Sequence, residues 1–389
     1  MIRVAILTNE LPPYRRPIFE LLGQHKELDV RIYLSTRKEP HRLWDLAADL
    51  PHAKVQAIPS IAINVRDKRR DRLIHFLVGA LPVLLRDRPA VVISGEFGFR
   101  TLMAWLFCAA FRKPLIIWSG ETADGAATAS TAQRWIRRFL TRRAAGFLAY
   151  GEAARRYLHH LGAKDEKISI LAQSVDNDYW IQAARAANTE SVPSQHTIVG
   201  RVALCVGNLL YPKGIHLLIQ AWAALPQELQ QENTLLLVGG GTERERLETL
   251  VAELKALNVV FAGPVAHHEI TAYYAAAHFL VLPTLLDVWG LVVNEAMASG
   301  VPALCSKYAG CAEELIIPDE TGDVFDPEDT IAFRDLLSKW LQRPTATPNP
   351  ALQEHIQQWS FSRSVSGIVE RLEKVGIPLS SSDEGRQSP

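Results

Sequence analysis

Leu282-Pro-Thr-Leu-Leu-Asp-Val-Trp-Gly-Leu-Val-Val-Asn-Glu-Ala-Met-Ala-Ser-Gly-Val-Pro302 is the stretch that decides the fold. It opens as the end of a buried strand, Phe279–Leu282, and Pro283 stops that strand because it has no N–H to donate. A polar loop follows, and then a helix from about Gly290 to Ala298, with Gly300 as the helix stop and Pro302 entering the next strand. Two carboxylates mark this unit, Asp287 in the loop and Glu295 inside the helix. Helical side chains lean towards the N-terminus, so Glu295 can reach whatever sits at Gly290, Leu291 and Val292. That helix start offers free backbone N–H groups and the positive end of the dipole, which suits a phosphate, and a glycine there lets a ligand approach the backbone. The plain alternative is an ordinary strand-loop-helix with a capping Asp.

Strand-like runs alternate with helical patterns along the rest of the chain, which predicts parallel sheets built from βαβ units. The first series places strands at Arg3–Leu7, Val30–Tyr33, Ala90–Ser94, Leu115–Trp118 and Gly146–Ala149. A polar segment, Ala183–Thr197, reads as a linker. The second series runs through Arg201–Val206, Thr234–Val238, Val259–Phe261, Phe279–Leu282 and Pro302–Cys305. The expectation is an α/β chain of two Rossmann-like, doubly wound domains, 1–185 and 196–350, whose strand C-termini face one cleft. A final segment, 351–376, then carries a helix, and the tail 377–389 is expected to be disordered.

The acidic stretch resembles the motif of family-4 glycosyltransferases with the GT-B fold, where two glutamates lie eight positions apart around an aromatic-Gly-Leu core. Here the first acid is Asp287 and the second Glu295, with Trp289-Gly-Leu291 between them. The resemblance covers most of the chain and is strongest from Val202 to Phe325. In the first half, Thr8-Asn-Glu-Leu-Pro-Pro-Tyr-Arg15, Tyr150-Gly-Glu152 and Ser174-Val-Asp176 look like acceptor-domain signatures of bacterial polysaccharide-building members. It implies a retaining transfer of a hexose from a nucleoside-diphosphate-sugar to a lipid-linked or glycan acceptor, and a last helix crossing back onto the first domain. By the same resemblance, Gly207-Asn-Leu-Leu-Tyr-Pro-Lys-Gly214 grips the leaving diphosphate, with Asn208 standing where relatives carry arginine and Lys213 as the cation. Gly240, in the Gly239-Gly-Gly-Thr242 turn, lies on the donor side, and the backbone near Val265 meets the nucleobase edge. Asp287 would hold the transferred sugar and Glu295 the ribose hydroxyls. The other readings of the same cleft are a sugar-nucleotide epimerase and a non-catalytic sugar-nucleotide-binding subunit.

In the first domain Pro13, Tyr14 and Arg15 form the acceptor-side candidate, at a position where relatives carry a glycine-rich loop. The loop Ser119-Gly-Glu-Thr122 follows a strand, and Glu121 is its polar candidate for catalysis or, equally, for capping. Asp176-Asn-Asp178 mimics an Asp-x-Asp metal motif but reads as a turn with side-chain to backbone bonds. The adjacent His267-His268 cannot face one site from a helix start and read as exposed first-turn residues. No metal site and no cofactor are therefore expected, with Lys213 and helix N-termini supplying the electrostatic work.

Charge is unevenly spread. Of the 42 Lys+Arg and 42 Asp+Glu, 29 and 19 fall in residues 1–190 and 13 and 23 beyond, so the first half carries +10 and the second −10. An anionic partner for the first half, or merely a solvated basic face, accounts for this equally well. Gln133–Ala144 is a basic amphipathic helix with Trp135, Ile136, Phe139 and Leu140 on one face and Arg134, Arg137, Arg138 and Arg142 on the other. It suits an anionic membrane surface through residues 134–143, and on pattern alone it suits packing against the sheet. No nucleic-acid signature stands out. Cys108, Cys205, Cys305 and Cys311 lack metal or redox spacing and read as buried thiols of a reducing compartment. Met1 leads straight into a strand and the apolar runs Leu73–Leu85 and Leu102–Phe111 are too short to span a bilayer. The reading is a cytoplasmic protein, peripheral at the inner face of the membrane.

Overall fold

The computed structural model describes residues 1–35, 50–67, 70–127, 129–187, 192, 196–344 and 349–379. The chain forms two compact units. The first comprises Met1–Asp67, Asp71–Gln173 and the C-terminal stretch from Phe361, and the second runs from Ser174 to Ser360. The boundary therefore falls before the helix Asn177–Ala186, which the sequence reading placed in the first domain, and the helix Pro350–Ile356 stays with the second unit. The helix reached by the returning chain is Phe361–Lys374.

The first unit holds a seven-stranded sheet of β1 (Ile2–Thr8), β2 (Leu28–Leu34), β3 (Lys54–Ala57), β6 (Val91–Gly95), β7 (Leu115–Ser119), β8 (Gly146–Ala149) and β9 (Ile168–Ile170), in the order 3-2-1-6-7-8-9. Between β3 and β6, β4 (Ile61–Asp67) and β5 (Arg70–Phe76) make a separate two-stranded sheet. The second unit holds β10 (Arg201–Val206), β11 (Asn233–Val238), β12 (Val259–Gly263), β13 (Phe279–Leu282), β14 (Ala303–Ser306) and β15 (Gly322–Phe325), in the order 12-11-10-13-14-15. Pairings throughout both large sheets are parallel. Parallel strands are covered on both faces, which is why β13 is apolar throughout and β6, β7 and β11 each carry a run of apolar residues. Those strands pack with the helices into a hydrophobic cluster in each unit, around Leu84, Phe107, Leu140 and Phe147 in the first and Trp222, Phe279, Phe333 and Trp340 in the second.

The order of strands reverses once in each sheet, between β1 and β6 and between β10 and β13. Loops that leave the two strands flanking such a switch point part to opposite faces and leave a crevice at the strand C-termini. In the second unit these are the loops after Val206 and Leu282, and in the first those after Thr8 and Gly95. All four cysteines are free and buried. The expected tail lies largely outside the described residues, as does part of the expected linker.

Candidate functional site

The loop after β10 is pinned before it reaches its cation. Leu209 N–H donates to Gly240 O at 2.8 Å and Glu243 N–H to Leu209 O at 3.0 Å, lacing it to the glycine turn after β11. A single 3-10 turn, Tyr211–Lys213, then ends in Gly214 at φ 67°. A Cβ at that position would lie 2.0 Å from Pro283 O, so only glycine lets the loops after β10 and β13 meet. Leu285 N–H and Thr284 Oγ1 both donate to Pro212 O, at 2.8 and 3.0 Å. Lys213 Nζ consequently stands 2.5 Å from Asp287 Oδ2, with 31% and 16% of the two side chains exposed. The proposed cation and the proposed sugar-binding acid are thus one ion pair. Asn208 is exposed at the mouth of the same loop, and Gly207 is half-buried there.

Asp287 is held from behind. Its N–H donates to Tyr308 O at 3.2 Å, its carbonyl accepts from Gly310 N–H at 3.1 Å, and its Oδ1 accepts from Trp289 N–H at 3.3 Å. Trp289 is buried and donates its indole N–H to Asn294 Oδ1 at 2.8 Å. Gly290, at φ 104°, turns the chain into the helix Leu291–Ala298, and a Cβ there would come 2.7 Å from a Leu282 methyl. The helix begins one residue later than expected, with Gly290 as its N-cap. Leu291 and Val292 form its first turn, and Glu295 lies one turn on.

Glu295 has a partner that no local motif announces. Tyr274 Oη donates to its Oε2 at 2.8 Å. Burial raises the Glu295 carboxyl to about 7, the tyrosine bond opposing the shift, while burial and the neighbouring carboxylate push the Tyr274 phenol well up. Tyr274 itself stands edge-on to Trp180, with ring centroids 5.5 Å apart. Val265 follows β12 and lines a cavity of about 610 Å³ with Pro264, His196, His268, Glu269 and Tyr273.

Two polar pairs are placed differently from their sequence reading. Asp176 accepts from Tyr179 N–H at 3.0 Å, the side-chain to backbone bond expected of it, but as the N-cap of the helix Asn177–Ala186 and not within a turn. Asn177 donates to Ile356 O at 3.0 Å, and Asp178 accepts from Gln357 at 3.4 Å. His267 and His268 are exposed, as expected, but lie in a turn ahead of the helix Ile270–Ala276, outside its first turn, and His267 sets its ring 5.3 Å from Trp180. Among the described residues no group of three His, Cys, Asp or Glu side chains could hold a metal ion.

At the first unit's switch point the sequence candidates fare unequally. Pro13, Tyr14 and Arg15 form a 3-10 turn, and the Arg15 guanidinium lies 4.7 Å from the Trp118 ring and bonds Tyr150 Oη. Glu121 is taken by Arg137, at 2.8 Å, with 23% and 11% of the side chains exposed. The cap next to it is Thr122, which accepts from Gly125 N–H. Arg137 also donates to Tyr157 Oη at 2.7 Å, so it points inward and does not belong to the helix's basic outer face. The carboxylate that lies at the strand tips is Glu96, in a left-handed backbone at φ 61°, accepting from Ser119 Oγ at 2.8 Å and Gly120 N–H at 3.0 Å. Burial raises its pKa, and burial pulls the Arg100 guanidinium beside it down to about 10. Arg100 bonds Gly95 O and Asn9. Glu96, Arg100 and Tyr274 were missed from sequence, whereas Asn9 lies within the quoted stretch Thr8–Arg15. Glu96 alone had a local signal, its place directly after an apolar strand and before Phe97-Gly98.

Comparison with known proteins follows the same division. Residues 192–358 match the family described as Glycosyl transferases group 1. Glycogen synthase of Mycobacterium tuberculosis is 30% identical over 188 residues, 48% of this chain and 42% of that protein, so the chain matches less than half of its length. D-inositol 3-phosphate glycosyltransferase of Corynebacterium glutamicum is 26% identical over 87% of this chain and 88% of its own. Anabaena HepE, solved with UDP and glucose, superposes with a TM-score of 0.74 at 17% identity, covering 96% of this chain and 100% of its own. The fold is that of GT-B glycosyltransferases.

Proposed function

We propose, from the match of residues 192–358 to the group 1 glycosyl transferases, that the chain moves a hexose from a nucleoside-diphosphate-sugar to a lipid-linked or glycan hydroxyl, with retention of configuration and without a metal ion. The observation that carries this reading is the ion pair of Lys213 with Asp287 beside the start of the helix Leu291–Ala298. A partly exposed pair of this kind is worth roughly 0–1 kcal/mol, so an arriving diphosphate can take the ammonium from the carboxylate at small cost. Lys213 then meets the diphosphate, Asp287 is released towards the sugar, and the amides of Gly290, Leu291 and Val292 face the phosphates. Asn208 adds a neutral hydrogen bond, and Glu295, aimed by Tyr274, takes the ribose hydroxyls.

Negative charge grows on the leaving diphosphate as the glycosidic bond breaks. Groups that stabilise it there lower the barrier more than they tighten ground-state binding. Asp176 is engaged in capping and Asp178 with Gln357, which supports a scheme in which cationic and dipolar groups replace a metal. This reading gives Glu121, engaged by Arg137, no part in catalysis and keeps Arg15 with Tyr14 on the acceptor side. The process served is cell-surface polysaccharide assembly at the inner face of the membrane.

HepE was solved with UDP and glucose, which makes UDP and UDP-glucose the first ligands to test. Thermal shift against UDP, GDP and ADP, followed by release of nucleoside diphosphate with and without glycan acceptors, tests the reading. Stabilisation by one diphosphate and acceptor-dependent release support it. Donor turnover without acceptor makes the chain an epimerase, binding without release makes it a sugar-nucleotide carrier, and either sinks the transferase.

A further inference from the structure

The helix Phe99–Phe111 has no charged residue from Thr101 to Phe111. A helix apolar on all sides belongs inside a protein or against an apolar medium. This one buries Ala104, Phe107 and Cys108, yet its opposite face leaves Leu106 41% and Phe111 42% exposed, with Ala109 and Ala110 also open. The neighbouring helix Thr131–Arg143 continues the same surface. Trp135, 64% exposed, stacks on Phe139 at 5.2 Å, and Phe139 meets Trp105 edge-on at 4.8 Å. Arg143 lies over Phe139 at 4.1 Å and over Trp105 at 5.7 Å, so the ridge ends in a cation.

The charges around this ridge have one sign. Arg112, Lys113, Arg134, Arg138, Arg142 and Arg143 are exposed, and no Asp or Glu occurs between Phe97 and Lys113 or between Ala129 and Ala145. Arg137, the one arginine of the second helix that is turned inward, is neutralised by Glu121 and leaves the outer set entirely cationic. Among the described residues no helix is long and apolar enough to cross a membrane. An exposed aromatic ridge rimmed by cations therefore fits the interface of a lipid leaflet, where aromatic rings sit at headgroup depth and basic side chains meet lipid phosphates.

We infer that the outer face of Phe99–Phe111 and Thr131–Arg143 docks the first unit onto an anionic lipid surface, with Trp135, Leu106 and Phe111 entering the headgroup region and the six cations binding its phosphates. The docking stands apart from sugar transfer, because none of these residues belongs to the donor site. The probes are vesicles of phosphatidylcholine alone and of phosphatidylcholine with phosphatidylglycerol, floated with the full-length protein at low and high salt. The protein should float with the anionic vesicles, be released by salt, and stay behind with the neutral ones. Anionic vesicles should blue-shift tryptophan emission, and the shift should shrink in Trp135→Ser. Arg138→Gln with Arg142→Gln should lower the partition roughly thirtyfold, about 1 kcal/mol for each cation removed. UDP binding should be unchanged in every variant, which keeps a failure here distinct from a failure of the transferase reading. Equal flotation with both vesicles, or variants that float like wild type, would overturn the assignment. So would a dimer in sedimentation velocity that Trp135→Ser dissociates, since a second copy would then be the occupant.

Discussion

The two switch points share a topology and differ in how their charges are held. At β10 and β13, glycine turns bring Lys213 and Asp287 together at the surface, and neither has a second ionic partner in the described structure. At β1 and β6 the charges are tied to neutral partners: Glu96 accepts from Ser119 and Gly120, the buried Arg100 bonds Gly95 and Asn9, and Arg15 lies among Trp118, Tyr14 and Tyr150. One edge is arranged to exchange a partner and the other to keep its shape. The contrast teaches that a parallel sheet supplies a crevice, while the partners its charges already hold decide whether they can answer a ligand.

The sharpest way to break this contrast is Lys213→Ala. If the lysine meets charge that grows in the transition state, turnover falls roughly a hundred- to a thousandfold while the donor Michaelis constant moves far less. Asn208→Arg, placed in that background, should restore part of the rate by offering a second cation beside the same phosphates. Steady-state kinetics of the four proteins in this cycle decide it, and a turnover number within about twofold of wild type in Lys213→Ala would return the lysine to an ordinary surface turn.

Glu295→Gln tests the buried part of the exchangeable edge. Loss of a charge-assisted bond should cost roughly 1.5–3 kcal/mol of donor affinity, read by calorimetry. Its pH dependence carries a sign. The folded-state pKa is raised to about 7 from 4.5, so this group's contribution to stability is full below about 4.5 and lost as pH rises through 7. Thermal melts of wild type should therefore decline across that window relative to Glu295→Gln. Tyr274→Phe removes the bond that opposes the shift, and should move the midpoint of the decline upwards.

The locked edge should respond in stability alone. Glu121→Gln strands the inward-facing Arg137 charge, for an expected loss of about 2 kcal/mol. In a unit of this size that lowers the melting point by roughly 4–8 °C. Turnover of the remaining folded protein should stay within about twofold of wild type, and a collapse of turnover without loss of stability would put Glu121 back in the reaction. The smallest expected effect is that of chelation: activity should persist in excess EDTA. Loss rescued by magnesium or manganese would mean that Asp176 and Asp178 leave their helix-capping roles to bind a cation.

The fold was legible wherever the chain is covered on both sides. Apolar runs name β1, β6, β7, β8, β10, β11, β13 and β14, because a strand buried on two faces has little alternative composition, and shorter apolar stretches, Val30–Tyr33 around Arg31 and Val259–Phe261, name β2 and the half-buried edge strand β12. Short edge strands escaped for the opposite reason: β3 is mostly exposed, β9 has three residues, and β15 has only two buried. The separate sheet of β4 and β5 escaped too, since its apolar end merges with the helix that follows. The donor loops were legible through their glycines, whose spacing reports backbone contacts. What could not be read was side-chain pairing over distance. Nothing near Glu295 announces Tyr274, and an amphipathic wheel marks Arg137 as polar without showing that Glu121 and Tyr157 lie beneath it.

The last long helix, Phe361–Lys374, returns the chain to the unit that began it. Arg371, almost fully buried, bonds Ser169 at 2.9 Å and Glu166 O at 3.1 Å, and Ser364 bonds Ala172 O. During synthesis the chain emerges N-terminus first, so β8 and β9 must wait for nearly the entire second unit before their cover arrives. The second unit, Ser174–Ser360, is continuous apart from one short insertion and can close as soon as it is made. The maturation order is therefore inverted: the half encoded first is the half completed last. A truncation shortly after Ser360 would leave a finished second unit joined to an uncovered sheet edge, a species prone to aggregate.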